Sequence, residues 1–178
     1  MPVLVSLGRG TAESVMQPFW IETDSAFRLA IVPRPRGGDW LEDDVRAMKR
    51  AGVDVVVSML TPEEVTELGL AREASACAEA GVAFKSFAIP DRQVPSSAGP
   101  LAAFLDEIRR ELHKGNSVAV HCRASIGRSS LLLAALLCSE GLTVTDAFTR
   151  ISQARGLKVP DTPEQVRWVE EFVSMPRL

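Results

Sequence analysis

The sequence predicts an α/β domain: a central, mainly parallel sheet of four or five strands with helices on both faces. Three observations carry this. Short β-branched runs alternate with segments whose apolar residues recur at helical spacing, the pattern of strands joined by crossover helices. One helical run, Arg128 to Glu140, is apolar nearly all round and belongs at the centre of the domain. The length, 178 residues at 46% hydrophobic and 24% charged, suits one domain with a sizeable core.

Each element has a local reason. Residues 1–25 lack a clear period and are read as an N-terminal arm; the folded domain is expected over residues 26–178. Phe27 to Val32 (FRLAIV) is strand-like and ends at Pro33 and Pro35. Asp39 to Ala51 reads as a helix, with Leu41, Val45 and Met48 on one face. Val53 to Met59 (VDVVVSM) reads as an inner parallel strand. Thr61-Pro62-Glu63-Glu64 is a helix start, with Thr as N-cap, Pro at N1 and an acid at N3. A helix from about Leu70 to Ala80 stops at Gly81, and Val82 to Ile89 reads as a strand closed by Pro90. Asp91 to Gly99 is a polar loop. Leu101 to Lys114 is a helix, and Ser117 to His121 (SVAVH) a short strand. Beyond Arg128 to Glu140, helices are expected over Thr145 to Ala154 and Thr162 to Val173, the second capped by Thr162-Pro163-Glu164-Gln165.

Composition excludes several classes. A net charge of -3 argues against a dedicated nucleic-acid binder. Three cysteines, Cys77, Cys122 and Cys138, are too few for a disulfide framework, and no Cys/His cluster has zinc-ligand spacing. The start MPVLVSLGRG is a poor signal peptide. The apolar stretch Leu131 to Cys138 is far shorter than the ~20 residues a membrane helix needs. The expectation is a soluble cytoplasmic monomer with no membrane insertion, no metal and no cofactor.

The informative segment is His121-Cys122-Arg123-Ala124-Ser125-Ile126-Gly127-Arg128-Ser129-Ser130. It follows a strand and opens an apolar helix, so it sits at the carboxyl end of a strand, where open α/β sheets bind ligands. Free backbone N–H groups and the positive end of the helix dipole suit a phosphate dianion, and they also favour a thiolate. Gly127 allows the loop to close around an anion. Arg128 offers a planar fork for two phosphate oxygens. Ser129 can donate a hydrogen bond to the thiolate.

HCRASIGRS resembles the His-Cys-x5-Arg-Ser/Thr signature of the cysteine-dependent protein tyrosine phosphatase superfamily, and the short chain is most similar to its dual-specificity branch. The resemblance implies that Cys122 is the nucleophile, that Arg128 binds phosphate, and that the loop positions Arg123, Ala124, Ser125, Ile126 and Gly127 line the substrate. His121 is expected to order the loop. Family members carry an aspartate general acid about thirty residues upstream; Asp91, in IPDRQVP, lies 31 positions before Cys122. A weaker match is VPDTPEQ, whose Gln165 could position the hydrolytic water. Arg155, just ahead of it, is read as a partner in a structural ion pair. The implied reaction hydrolyses phosphomonoesters on a phosphorylated protein through a phosphocysteine. The chain has no tyrosine, so the tyrosine-bearing loop that deepens the pocket of tyrosine-specific enzymes is absent. A shallow pocket would admit phosphoserine and phosphothreonine too. Two alternatives stay open: a phosphoinositide or small-molecule phosphatase with the same mechanism, and a rhodanese-like sulfurtransferase. Cys77 and Cys138 read as packing residues, either of which could pair with an oxidised Cys122.

Overall fold

A computed structural model of the chain describes residues 16–176. Of the expected N-terminal arm, residues 1–15 lie outside the described residues. The rest carries a two-residue strand, β1 (Phe19–Trp20), paired antiparallel to β2 (Leu29–Ile31). Then follow α1 (Leu41–Arg50), β3 (Val55–Ser58), α2 (Pro62–Glu67), α3 (Glu73–Glu79) and β4 (Ala83–Ser86). The chain continues through α4 (Ala98–His113), β5 (Val118–His121), α5 (Arg128–Ser139), α6 (Val144–Arg155) and α7 (Pro163–Ser174). The sheet runs β1-β2-β5-β3-β4, and every pairing except β1 with β2 is parallel. The predicted fold class is therefore what the chain adopts.

Strand side chains alternate between faces, and each face has its own core. Leu29, Ile31, Val55, Val57, Val118 and Val120 join the helices α4 to α7 on one side. Ala30, Val56 and Ala119 pack with α1 and α3 on the other. Helix α5 is buried along ten consecutive residues, Arg128 to Leu137. Its lack of a polar face matches its place between the sheet and its neighbouring helices.

Several boundaries shift from expectation, among them the start of α3, at Glu73 in place of about Leu70, and two of the shifts have a plain physical reason. Helix α4 begins at Ala98 rather than Leu101, because Pro100 falls in its first turn, where no intrahelical N–H is needed. The strand expected over Val82 to Ile89 shortens to the exposed edge strand β4. The chain nevertheless stays alongside β3: Phe87 N–H donates to Ser58 O (2.9 Å) and Ile89 N–H to Met59 O (3.2 Å). That contact carries Pro90 and Asp91 to the carboxyl end of the parallel strands, where β5 also ends.

Candidate active site

The segment after β5 leaves the middle of the sheet, so the ends of β2 and β3 flank it. Cys122 is buried, 3% exposed. The loop is held from outside. The Ser125 hydroxyl donates to Val32 O at the end of β2 (2.6 Å), and Ser125 adopts a positive φ of 53°. Arg155 Nε donates to Ser125 O (3.1 Å), and its Nη2 to Ala124 O (3.5 Å), while its guanidinium lies over the Phe19 ring. Arg155 therefore braces the loop's carbonyls; it forms no ion pair among the described residues, contrary to the sequence expectation. At Gly127 a Cβ would lie 2.5 Å from Asp161 Oδ2 and 2.7 Å from Gln165 Nε2, so a side chain there would have to displace both groups.

Arg128 is 1% exposed, and its fork is heavily used. Nη1 donates to Glu64 Oε2 (2.7 Å) and Ile89 O (2.7 Å); Nη2 donates to Glu64 Oε1 (2.8 Å) and Asp91 Oδ1 (2.9 Å). Burial works against its charge, but Glu64, Cys122 and Asp91 outweigh that and raise its pKa. The Arg128 hydrogen bonds hold the Glu64 carboxyl below the usual carboxylate range, with help from the Thr61 N–H. Arg128 Nε and the Ser129 hydroxyl are buried without a partner among the described residues. Unsatisfied buried donors at the mouth of a helix N-terminus are suited to an incoming oxyanion.

Other expected loop residues sit differently. Arg123 turns away to Glu67 (2.7 and 3.1 Å) and lies 3.9 Å from Glu64. Ala124 is exposed, and Ile126 packs partly against the core. Asp91 is half-exposed, its carboxylate turned to Arg128. The next residue, Arg92, has φ 61° and reaches Asp161 at 3.9 Å. Gln165 is fully buried: it closes the capping box with Thr162 and donates from Nε2 to Gln93 O (3.3 Å). It thus touches both the acid-bearing loop and Gly127. His121 is also fully buried, with Nε2 2.7 Å from Glu73 Oε1.

The other cysteines are set apart. Cys138 lies ten residues beyond Arg128 on α5, a rise of about 15 Å, too far for a bridge to Cys122. Burial pushes its thiol up to about 11. Cys77 belongs to the core on the opposite sheet face, where burial, then Glu73, push it up to about 12. Sequence reasoning missed Glu64 and Glu73 as site neighbours. Glu64 was visible only as a cap residue, although a buried arginine demands a carboxylate.

Similarity to known proteins agrees with this geometry. A family model described as "Polymorphic toxin system, DSP-PTPase phosphatase" matches residues 32–142. Cyclin-dependent kinase inhibitor 3 of Rattus norvegicus is 23% identical over 134 residues, covering 74% of this chain. This chain spans only 63% of that relative's length. The structure of Tk-PTP in its active form is 26% identical, with a TM-score of 0.72 over 89% of this chain and 98% of that one. A kinase associated phosphatase with serine replacing its catalytic-site cysteine shares the fold, with a TM-score of 0.78 at 16% identity over 88% of this chain and 93% of that one. Among the described residues no helix is long and apolar enough to cross a membrane. With the match spanning both Asp91 and the Cys122 loop, the chain belongs to the DSP-PTPase phosphatase family of polymorphic toxin systems, within the dual-specificity branch of the protein tyrosine phosphatase superfamily.

Proposed function

We propose that this chain hydrolyses phosphomonoesters on phosphorylated proteins, on tyrosine and on serine or threonine, through a phosphocysteine formed at Cys122. The observation that carries the reading is the meeting of Asp91 with Arg128, 2.9 Å apart across 37 residues of sequence, beside the Cys122 loop. A candidate acid and a candidate phosphate clamp share one point.

In the proposed reaction the substrate dianion takes Arg128 and the loop N–H groups, displacing the Asp91 carboxylate from Nη2. The Cys122 thiolate attacks phosphorus in line, forming the S–P bond as the P–O bond breaks. Asp91, which takes up a proton from solvent once freed from Arg128, gives that proton to the leaving oxygen, without which an alkoxide departs poorly. Arg128 and the loop amides stabilise the equatorial oxygens as charge builds. Water then attacks phosphorus, Asp91 accepts its proton, and the thiolate leaves toward the Ser129 hydroxyl. Relatives named for their association with kinases support a protein substrate.

The test is hydrolysis of p-nitrophenyl phosphate in the presence of chelator. Wild type turns over, Cys122→Ser does not, and Asp91→Ala loses about 10²–10⁴-fold with a flattened basic limb in its pH profile. A folded, reduced wild type without turnover overturns the reading. Phosphopeptides are expected to be better substrates than soluble inositol phosphates; the reverse order would move the substrate to phosphoinositides. Sulfur transfer from thiosulfate to cyanide would point to the rhodanese alternative.

A further inference from the structure

Behind the Cys122 loop lies a buried pair with no step of its own in the proposed reaction. His121 is 0% and Glu73 2% exposed. The imidazole Nε2 is 2.7 Å from Glu73 Oε1, and Nδ1 is 3.4 Å from the Cys122 carbonyl oxygen. Both ring nitrogens therefore face acceptors. A neutral imidazole beside an ionised Glu73 has a single N–H, which leaves one contact between two acceptors. Two arrangements avoid this: imidazolium with carboxylate, or imidazole with a carboxylic acid protonated on Oε1. Both place a proton on Nδ1.

We propose that Glu73 is a positioning residue for the nucleophile: by engaging Nε2 it keeps a proton on Nδ1 of His121, which then ties the Cys122 carbonyl and fixes the start of the loop. The inference rests on reading Cys122 as the nucleophile. A packing role explains Glu73 poorly. Its second oxygen, Oε2, is buried without a partner, which costs stability. An apolar side chain at this first residue of α3 would fill the space without that cost. Cys77 stands one turn along α3 from Glu73, Arg72 precedes Glu73 as the N-cap, and Arg128 of α5 holds its charge beside Cys122. Beyond Arg128 stand Glu64 of α2 and Asp91 of the loop after β4.

The experiment compares Glu73→Leu and Glu73→Gln in the full chain. It reads iodoacetamide alkylation of Cys122, mapped by mass, beside p-nitrophenyl phosphate turnover. Glu73→Leu is expected to slow alkylation and lower kcat about tenfold, the scale of one lost hydrogen bond. Glu73→Gln can donate an amide N–H to Nε2, which again leaves the proton on Nδ1, so it stays within about twofold of wild type. Alkylation of Glu73→Leu at the wild-type rate, or Glu73→Gln as slow as Glu73→Leu, overturns the proposal. Alkylation needs no turnover, so failure of the phosphatase reading would register separately, as an inactive wild type. Should Glu73→Leu not fold, the ring ¹⁵N spectrum of wild type decides. The chain has two histidines, and the other, His113, is exposed. The His121 ring is expected to show a protonated Nδ1 in that spectrum; a bare Nδ1 overturns the proposal.

Discussion

Glu64 stands at N3 of a short helix, where its carboxylate accepts from the Thr61 N–H, and at the same time it receives both arms of Arg128. Removing it strands a guanidinium that is 1% exposed. Glu64→Leu is therefore expected to lower stability by about 3 kcal/mol in urea denaturation, since Asp91 is too exposed to replace it. The pH dependence has a definite sign. A carboxyl held below its ordinary value contributes stability above the unfolded value, and the contribution is lost as pH falls through the folded one. Below about pH 4.5 wild type should lose stability more steeply than Glu64→Leu, a difference read from paired denaturation series. The residue scale is also where the sequence was least legible. Cys122, Arg128 and Ser129 lie within one contiguous loop and announce themselves by spacing. The partners of Arg128 and His121 are 64 and 48 residues away, and no local pattern separates a capping glutamate from one that also binds a buried cation.

Two loops and one helix start form the unit around the site. Gln165 Nε2 donates to Gln93 O, Arg92 approaches Asp161, and both Asp161 and Gln165 press on Gly127. The start of α7 and the turn before it thus span the Asp91 loop and the Cys122 loop. If it holds Asp91 in place, Gln165→Leu should lose more rate on substrates with poor leaving groups than on those with good ones. The expected gap between phenyl phosphate and p-nitrophenyl phosphate is about tenfold in relative kcat/KM. Equal losses on both would leave Gln165 with a role in the water step alone. At this scale the sequence was largely legible: capping boxes at Thr61 and Thr162 form as read, and the apolar run of α5 is buried as expected. The short span of β4 was not legible, because periodicity cannot tell an edge strand's pairing from the unpaired continuation beside it.

Over the whole molecule the sheet separates two cores, and α5 fills the larger one directly behind the Cys122 loop. Packing there and geometry at the site are consequently one matter. Leu132 is 0% exposed, and Leu132→Ala should cost about 2–5 kcal/mol, measured as a fall in the denaturation midpoint. A variant with full stability would show that this side of α5 collapses without leaving a cavity. Strand alternation and the all-apolar helix made the layered architecture legible in advance. The strand order was not, since it depends on which parallel neighbours meet and leaves no mark within any single strand.

The bracing by Arg155 has a consequence for how an anion is met. A trans peptide points its N–H opposite to its carbonyl. With the oxygens of Ala124 and Ser125 drawn toward Arg155, the N–H groups of Ser125 and Ile126 are turned away from it. The peptide dipoles of the loop are thereby oriented when the chain folds, so the dianion of the proposed reaction would meet a field already aligned instead of having to create one.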